Sequence, residues 1–208
     1  MNSYIRKTVL ATALVFAAFC VQSCTKDGLT PEERLIERRE RTFSDKNNIM
    51  SFYLNGNLVC DLTTWELCNK NWLVVLGRPQ VEYHYYKTNE GEYILKVFAN
   101  ATTNHKWKLT NEDVYMGCIS FDIPYEDDKF LLDSIKVKAS FHKERDSFYG
   151  CPLSVSSMDF EIVEYDEENK CLMGRFSFNA SYDFGAKEDW PESVEFSITD
   201  GMFCAYRY

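Results

Sequence analysis

With 208 residues, 45% hydrophobic content and a formal net charge of -9, the chain has enough sequence for one self-sufficient core and too much acid to bind polyanions. Phosphate recognition needs clustered Lys and Arg, which argues against nucleic acid and anionic lipid headgroups as partners. Loss of Arg6 and Lys7 with an N-terminal leader leaves the remainder more acidic still.

Those two basic residues precede an apolar run over residues 8–19, and the segment closes with Val21-Gln22-Ser23-Cys24. A basic start, a short apolar core and small residues before a cleavage point make a secretory signal, and the run is too short to cross a bilayer. An ordinary cleaved signal and a buried helix are the competing readings. The Val21 to Cys24 tetrapeptide resembles a bacterial lipoprotein signal, whose cysteine is acylated, typically with palmitate, and becomes the mature N-terminus. Cys20 is a poorer candidate because it follows bulky Phe19. At about 0.8 kcal/mol per buried methylene, two or three acyl chains hold a protein essentially permanently. Thr25 is not the aspartate associated with inner-membrane retention, so the resemblance implies a lipid anchor in the outer membrane, facing the periplasm or the cell surface. The expected organisation is a signal peptide over residues 1–23, an anchor, tether and short helix over 24–48, and an antiparallel β domain over 49–208.

Thr30-Pro31-Glu32-Glu33 is a capping box, so a short solvated helix is expected to about Arg41. From Ile49 the period changes to two. Asn55-Gly56 lies between apolar runs and predicts a two-residue hairpin, since both turn positions need positive φ. A second hairpin is expected from residues 81–87 and 93–99 around Asn89-Glu90-Gly91. Trp65 and Trp72 fall in a stretch over 63–79 that reads as strand or short helix. Ile119, Phe121 and Ile123 share one face of a strand that Pro124 is expected to end. Ile135, Val137, Ala139 and Phe141 alternate with polar residues, as do Met158, Phe160 and Ile162. Leu172, Gly174, Phe176, Phe178 and Ala180 form the clearest strand, followed by Val194, Phe196 and Ile198. Asp200-Gly201 then reads as a turn into a last strand beginning at Met202. The fold class is all-β: an antiparallel β-sandwich or lipocalin-like barrel preceded by a signal segment and a short N-terminal helix.

Six cysteines remain after Cys24: Cys60, Cys68, Cys118, Cys151, Cys171 and Cys204. In an exported chain they are compatible with up to three disulfides, with the pairing open, or with buried free thiols. No pair has CxxC spacing, and His84, His105 and His142 fall in different segments, so no metal site is expected. The acid runs Glu126-Asp127-Asp128 and Asp166-Glu167-Glu168 lack EF-hand spacing and read as solvated turns. No nucleophile elbow, P-loop, HExxH or dinucleotide fingerprint occurs, and no cofactor is expected.

Tyr83 and Tyr85 share one strand face, with Tyr86 on the other, and Trp107 and Trp190 lie in or beside loops. These four, Tyr83, Tyr85, Trp107 and Trp190, are the candidate binding aromatics. Exposed, the two tyrosines would form a stacking platform; buried, they would pack the core.

Met173-Gly174-Arg175-Phe176-Ser177-Phe178 is followed by Ser197-Ile198-Thr199-Asp200-Gly201-Met202-Phe203, and Phe52-Tyr53-Leu54-Asn55-Gly56 opens the domain. Together these fragments resemble uncharacterised Bacteroidota lipoproteins, in which a single β domain ends in a glycine-aromatic strand and an Ile-Thr-Asp-Gly-x-Phe hairpin. The resemblance implies an exported β domain and supplies no catalytic residues. A binding or interaction role at the envelope follows, with a glycan, a small apolar molecule or an envelope protein as ligand. Two other readings stand beside it: a hydrolase using Asp183, Glu188 or Asp189 near Trp190, and a structural accessory subunit of an envelope complex.

Overall fold

The computed structural model describes residues 28–60, 81–100, 107–109, 113–127, 129–144 and 146–207. Cys24, the leader, Cys68, His105 and the stretch over 63–79 lie outside the described residues. The chain divides into two compact units, Met1–Arg38 and Arg39–Tyr208.

Helix α1 (Pro31–Glu40) starts with the capping box read from the sequence. The Glu33 backbone N–H donates to the Thr30 hydroxyl at 3.2 Å, and the Glu33 carboxylate accepts from the Thr30 N–H at 2.7 Å.

The second unit is all-β, with twelve strands of one sheet among the described residues. Its first hairpin joins β1 (Met50–Leu54) to β2 (Asn57–Cys60) through Asn55-Gly56, at φ 50° and 80°, as the two-residue turn requires. A second hairpin joins β3 (Val81–Lys87) to β4 (Tyr93–Asn100). Beyond β4 the sheet continues through β6 (Tyr115–Glu126), β8 (Lys136–Lys143) and β9 (Asp146–Pro152). Two-residue strands β5 (Trp107–Lys108) and β7 (Lys129–Phe130) add to β6. A second run consists of β10 (Ser154–Asp166), β11 (Cys171–Asp183) and β12 (Ser193–Tyr206).

The all-β architecture expected from the two-residue alternation is present, with one refinement and two corrections. The sheet is mixed, because β12 meets β3 in parallel through the single pair Tyr206 and Glu82. Pro124 does not end its strand: β6 runs on to Glu126. The β8 ladder stops at Asp122 and the β7 ladder starts at Tyr125, so Pro124 falls where neither needs its missing donor. Asp200-Gly201 does not turn the chain either. Both lie inside β12, where one extra residue is accommodated against β1 and against β11, with Asp200 at φ 52°. This is a β-bulge. Arg39 holds it by an ion pair to the Asp200 carboxylate at 2.6 Å and a hydrogen bond to the Asp200 carbonyl.

Two-residue alternation places Leu95, Val97, Phe121, Ile123, Val137 and Phe141 on one buried face. Facing them are Phe160, Phe176, Phe178 and Phe203 from the second run of strands. The Phe121 ring centroid lies 4.8 Å from Phe176 and 5.2 Å from Phe160, so the two halves interdigitate and the middle of the unit is filled. Hydrogen bonds leave the sheet open between β9 and β10, which stand at opposite ends of the strand order. Covalently the two are adjacent, separated only by Leu153, whose N–H donates to the Val137 carbonyl at 2.9 Å. One bent run over residues 146–166 thus belongs to both ends of the sheet.

Candidate functional site

Successive antiparallel strands place alternate turns at the same end of the sheet. The connections over 88–92 and 167–170 and the stretch over 129–135 therefore gather at one end, and Glu144 and the connection over 184–192 at the other. The first end is open and the second is closed.

At the open end a groove of about 1010 Å3 is walled by Tyr85, Tyr93, Tyr125 and Tyr165. Tyr93 and Tyr125 are cross-strand partners on β4 and β6. Tyr85 lies 5.8 Å, centroid to centroid, from Tyr125, and Phe130 packs between Tyr125 and Tyr165 at 5.1 and 5.8 Å. Burial first, then a hydrogen bond to Tyr165, pushes the Tyr85 phenol far above the usual tyrosine range, so it stays neutral. The Arg207 guanidinium sits 5.6 Å from the centre of the Tyr85 ring, within cation–π range. The rim is acidic: Glu90, Glu92, Glu126, Asp127 and Glu167 line the groove, and Arg207 adds a cation to it. Tyr93 is 52% exposed, and the Lys87 ammonium lies 5.1 Å from its ring centre. Asp166, beside this rim, serves the backbone. Its carboxylate accepts from the Asn169 side chain at 2.7 Å and the Asn169 N–H at 2.9 Å, closing the turn.

The closed end is plugged by aromatic rings. Trp190 and Phe184 are buried, with centroids 4.7 Å apart, and Phe148 stands edge-on to Trp190 at 4.8 Å. The Lys187 ammonium lies 4.3 Å from the Phe148 ring centre and pairs with Asp146, which also accepts from the Trp190 indole N–H at 2.9 Å. Of the loop acids, Asp183 is tied to the Gly185 N–H at 2.6 Å, while Glu188 and Asp189 face solvent. These three acids do not converge on a cleft beside Trp190, because Trp190 fills that end instead of lining it.

Of the three candidate aromatics whose side chains are described, only Tyr85 reaches the groove. Tyr83 is 1% exposed, packs 6.3 Å from Tyr165 in the core, and cannot serve as a surface platform. Trp190 is likewise interior, and the Trp107 side chain lies outside the described residues. Tyr93, Tyr125, Tyr165 and Arg207 were not singled out by the sequence. Counting turns along the meander would have found them, since each borders an acidic turn or the chain end at the same end of the sheet.

Among the described residues, Cys118, Cys151, Cys171 and Cys204 are free thiols, and no cluster of three His, Cys, Asp or Glu side chains is arranged to hold a metal. His84 pairs with Glu82 at 3.0 Å and stacks on Phe98, while His142 bonds Ser147 at 2.7 Å. No family model, curated protein or solved structure matches the chain.

Proposed function

We propose that the protein is a lipid-anchored envelope protein that binds a neutral or amino-bearing glycan in the tyrosine-walled groove. The carrying observation is the convergence of four tyrosines, five carboxylates and Arg207 on one open trough. Tyrosine rings stack against the apolar faces of sugar rings, while carboxylates accept from sugar hydroxyls and ammonium groups. The excess of acid repels uronates and sulfated polymers. A filled interior argues against a carrier that encloses a small apolar molecule, since that role needs a lined cavity. Strand addition by an envelope partner is disfavoured along β10, whose pairing with β11 is broken by bulges between Ser156 and Asp159 and between Ile162 and Glu164. Export and anchoring rest on residues 1–24, and the likeness to Bacteroidota lipoproteins on the fragments quoted above.

The test pairs an oligosaccharide array with calorimetry on the mature chain. Saturable binding to neutral or amino sugars, weakened at least about tenfold by Tyr93→Ala at unchanged melting temperature, is expected from loss of one stacking surface. No binding across the array, or undiminished binding by that variant, defeats the glycan reading. Cys24→Ala tests the anchor separately: fatty-acid labelling should vanish and the protein should leave the membrane fraction.

A further inference from the structure

We infer that Cys171 and Cys204 form a disulfide in the exported protein, a bond that staples β11 to β12 beneath the segment preceding β1. In the β11–β12 ladder Cys171 faces Tyr206 and Met173 faces Cys204, which sets the two cysteines diagonally on the outer side of the sheet. Their sulfurs are 3.6 Å apart and both residues are buried. A disulfide requires about 2.05 Å, and diagonal cross-strand neighbours stand about 7–8 Å apart, so closure draws β11 and β12 slightly together as well as rotating both side chains. The pair forms its own small cluster with Met173, packed against Phe43 and Tyr206 and separate from the main core.

Two other cysteines have described side chains, Cys118 and Cys151. Cys151 belongs to the main core, whereas Cys118 lies outside it, hydrogen-bonded to Ser140, so the sheet separates their thiols. Assigning Cys171 to Cys204 reduces fifteen pairings of six cysteines to three.

The reaction needs an oxidant of the disulfide class, a thiol oxidoreductase or a small-molecule disulfide. One cysteine loses its proton and displaces a thiolate from the oxidant, giving a mixed disulfide. The second cysteine then loses its proton and attacks, the S–S bond closes, and the oxidant leaves as two thiols carrying both electrons. Burial pushes the Cys204 thiol far up, and the cover of Phe43 and Tyr206 shields it, which disfavours attack in the finished fold. Tyr206 is itself pinned by donating to the Lys46 carbonyl at 2.7 Å. The bond is therefore made during folding, before the segment carrying Phe43 and Lys46 closes over the sulfurs.

Formation in the cell rests on the export proposed above, so two samples of the full chain separate the ideas. One is taken from cells after thiol blocking; the other is refolded in detergent in a glutathione redox buffer. Peptide mapping without reductant should link Cys171 to Cys204 in both, two hydrogens lighter. Reductant should lower the melting temperature by roughly 5–15 °C in the parent chain and not in the Cys171→Ala, Cys204→Ala double variant. Linkage in the refolded chain but not in cells supports the pairing and counts against export. Free thiols in both samples, or linkage to other cysteines, overturns the pairing.

Discussion

The Trp190 indole donates to the Asp146 carboxylate at 2.9 Å across 44 positions of sequence, and Lys187 pairs with the same carboxylate. That carboxylate ties the loop over 184–192 to the start of β9 and keeps the aromatic plug in place. The Lys187 ion pair, the Trp190 bond and the Ser147 N–H hold Asp146 below the usual carboxylate range. Asp146→Ala should free Trp190 to solvent. Its emission, isolated as the difference from a Trp190→Phe variant, should shift to the red; an unshifted spectrum would show that ring packing alone holds the plug.

Phe121 joins the two halves of the unit through Phe160, Phe176 and Phe178. Truncation leaves a cavity that β-strands on both sides cannot close. Phe121→Ala is expected to lose about 3–5 kcal/mol in denaturant unfolding. A loss under about 1 kcal/mol would mean that the halves contribute little to each other.

Two glycines separate crowding from backbone conformation. A Cβ on Gly174 would meet the Phe203 ring at 2.5 Å and the Glu161 carbonyl oxygen at 2.7 Å. Gly174→Ala should cost roughly 1–3 kcal/mol, and Phe203→Leu should restore only part of it, because the carbonyl contact remains. Gly56 has open space around it but φ +80°, so Gly56→Ala should cost about 1–2 kcal/mol through conformation alone. Full rescue at Gly174 would show the carbonyl to be able to yield.

Asp166 is held at about 2 by the Asn169 side chain and N–H, with Lys46 adding to them. A carboxyl whose folded value lies below its unfolded value of about 3.9 stabilises fully above that value and loses the contribution as pH falls toward 2. The melting temperature of the parent chain should exceed that of Asp166→Ala above about pH 4, and the difference should shrink between pH 4 and 2. A constant difference across that range would refute the linkage.

The elements visible in the sequence were those whose chemistry acts locally. Asn55-Gly56 needs only its own φ angles, and the alternation from Leu172 to Ala180 reports a face that burial demands. Asp200-Gly201 misled because a left-handed residue before glycine serves a bulge as well as a turn; Arg39 and the β1 and β11 ladders decide between them. Pro124 misled for a related reason, since its tolerance depends on which neighbour is absent beside it. The groove was hidden because Tyr85, Tyr125, Tyr165 and Arg207 come from four separate places and converge only after the sheet folds on itself. Tyr83 and Tyr85 share a strand face, but only the fold distinguishes the core from its mouth.

The bent run through Leu153 changes how the unit comes apart. Two free sheet edges held only by side-chain packing would drift away once that packing loosened. Here a one-residue linker keeps β8 and β11 at a high effective concentration relative to each other, even with the interior partly solvated. Loss of packing at the open end or around the aromatic plug would thus leave the two ends of the sheet tethered through a single residue.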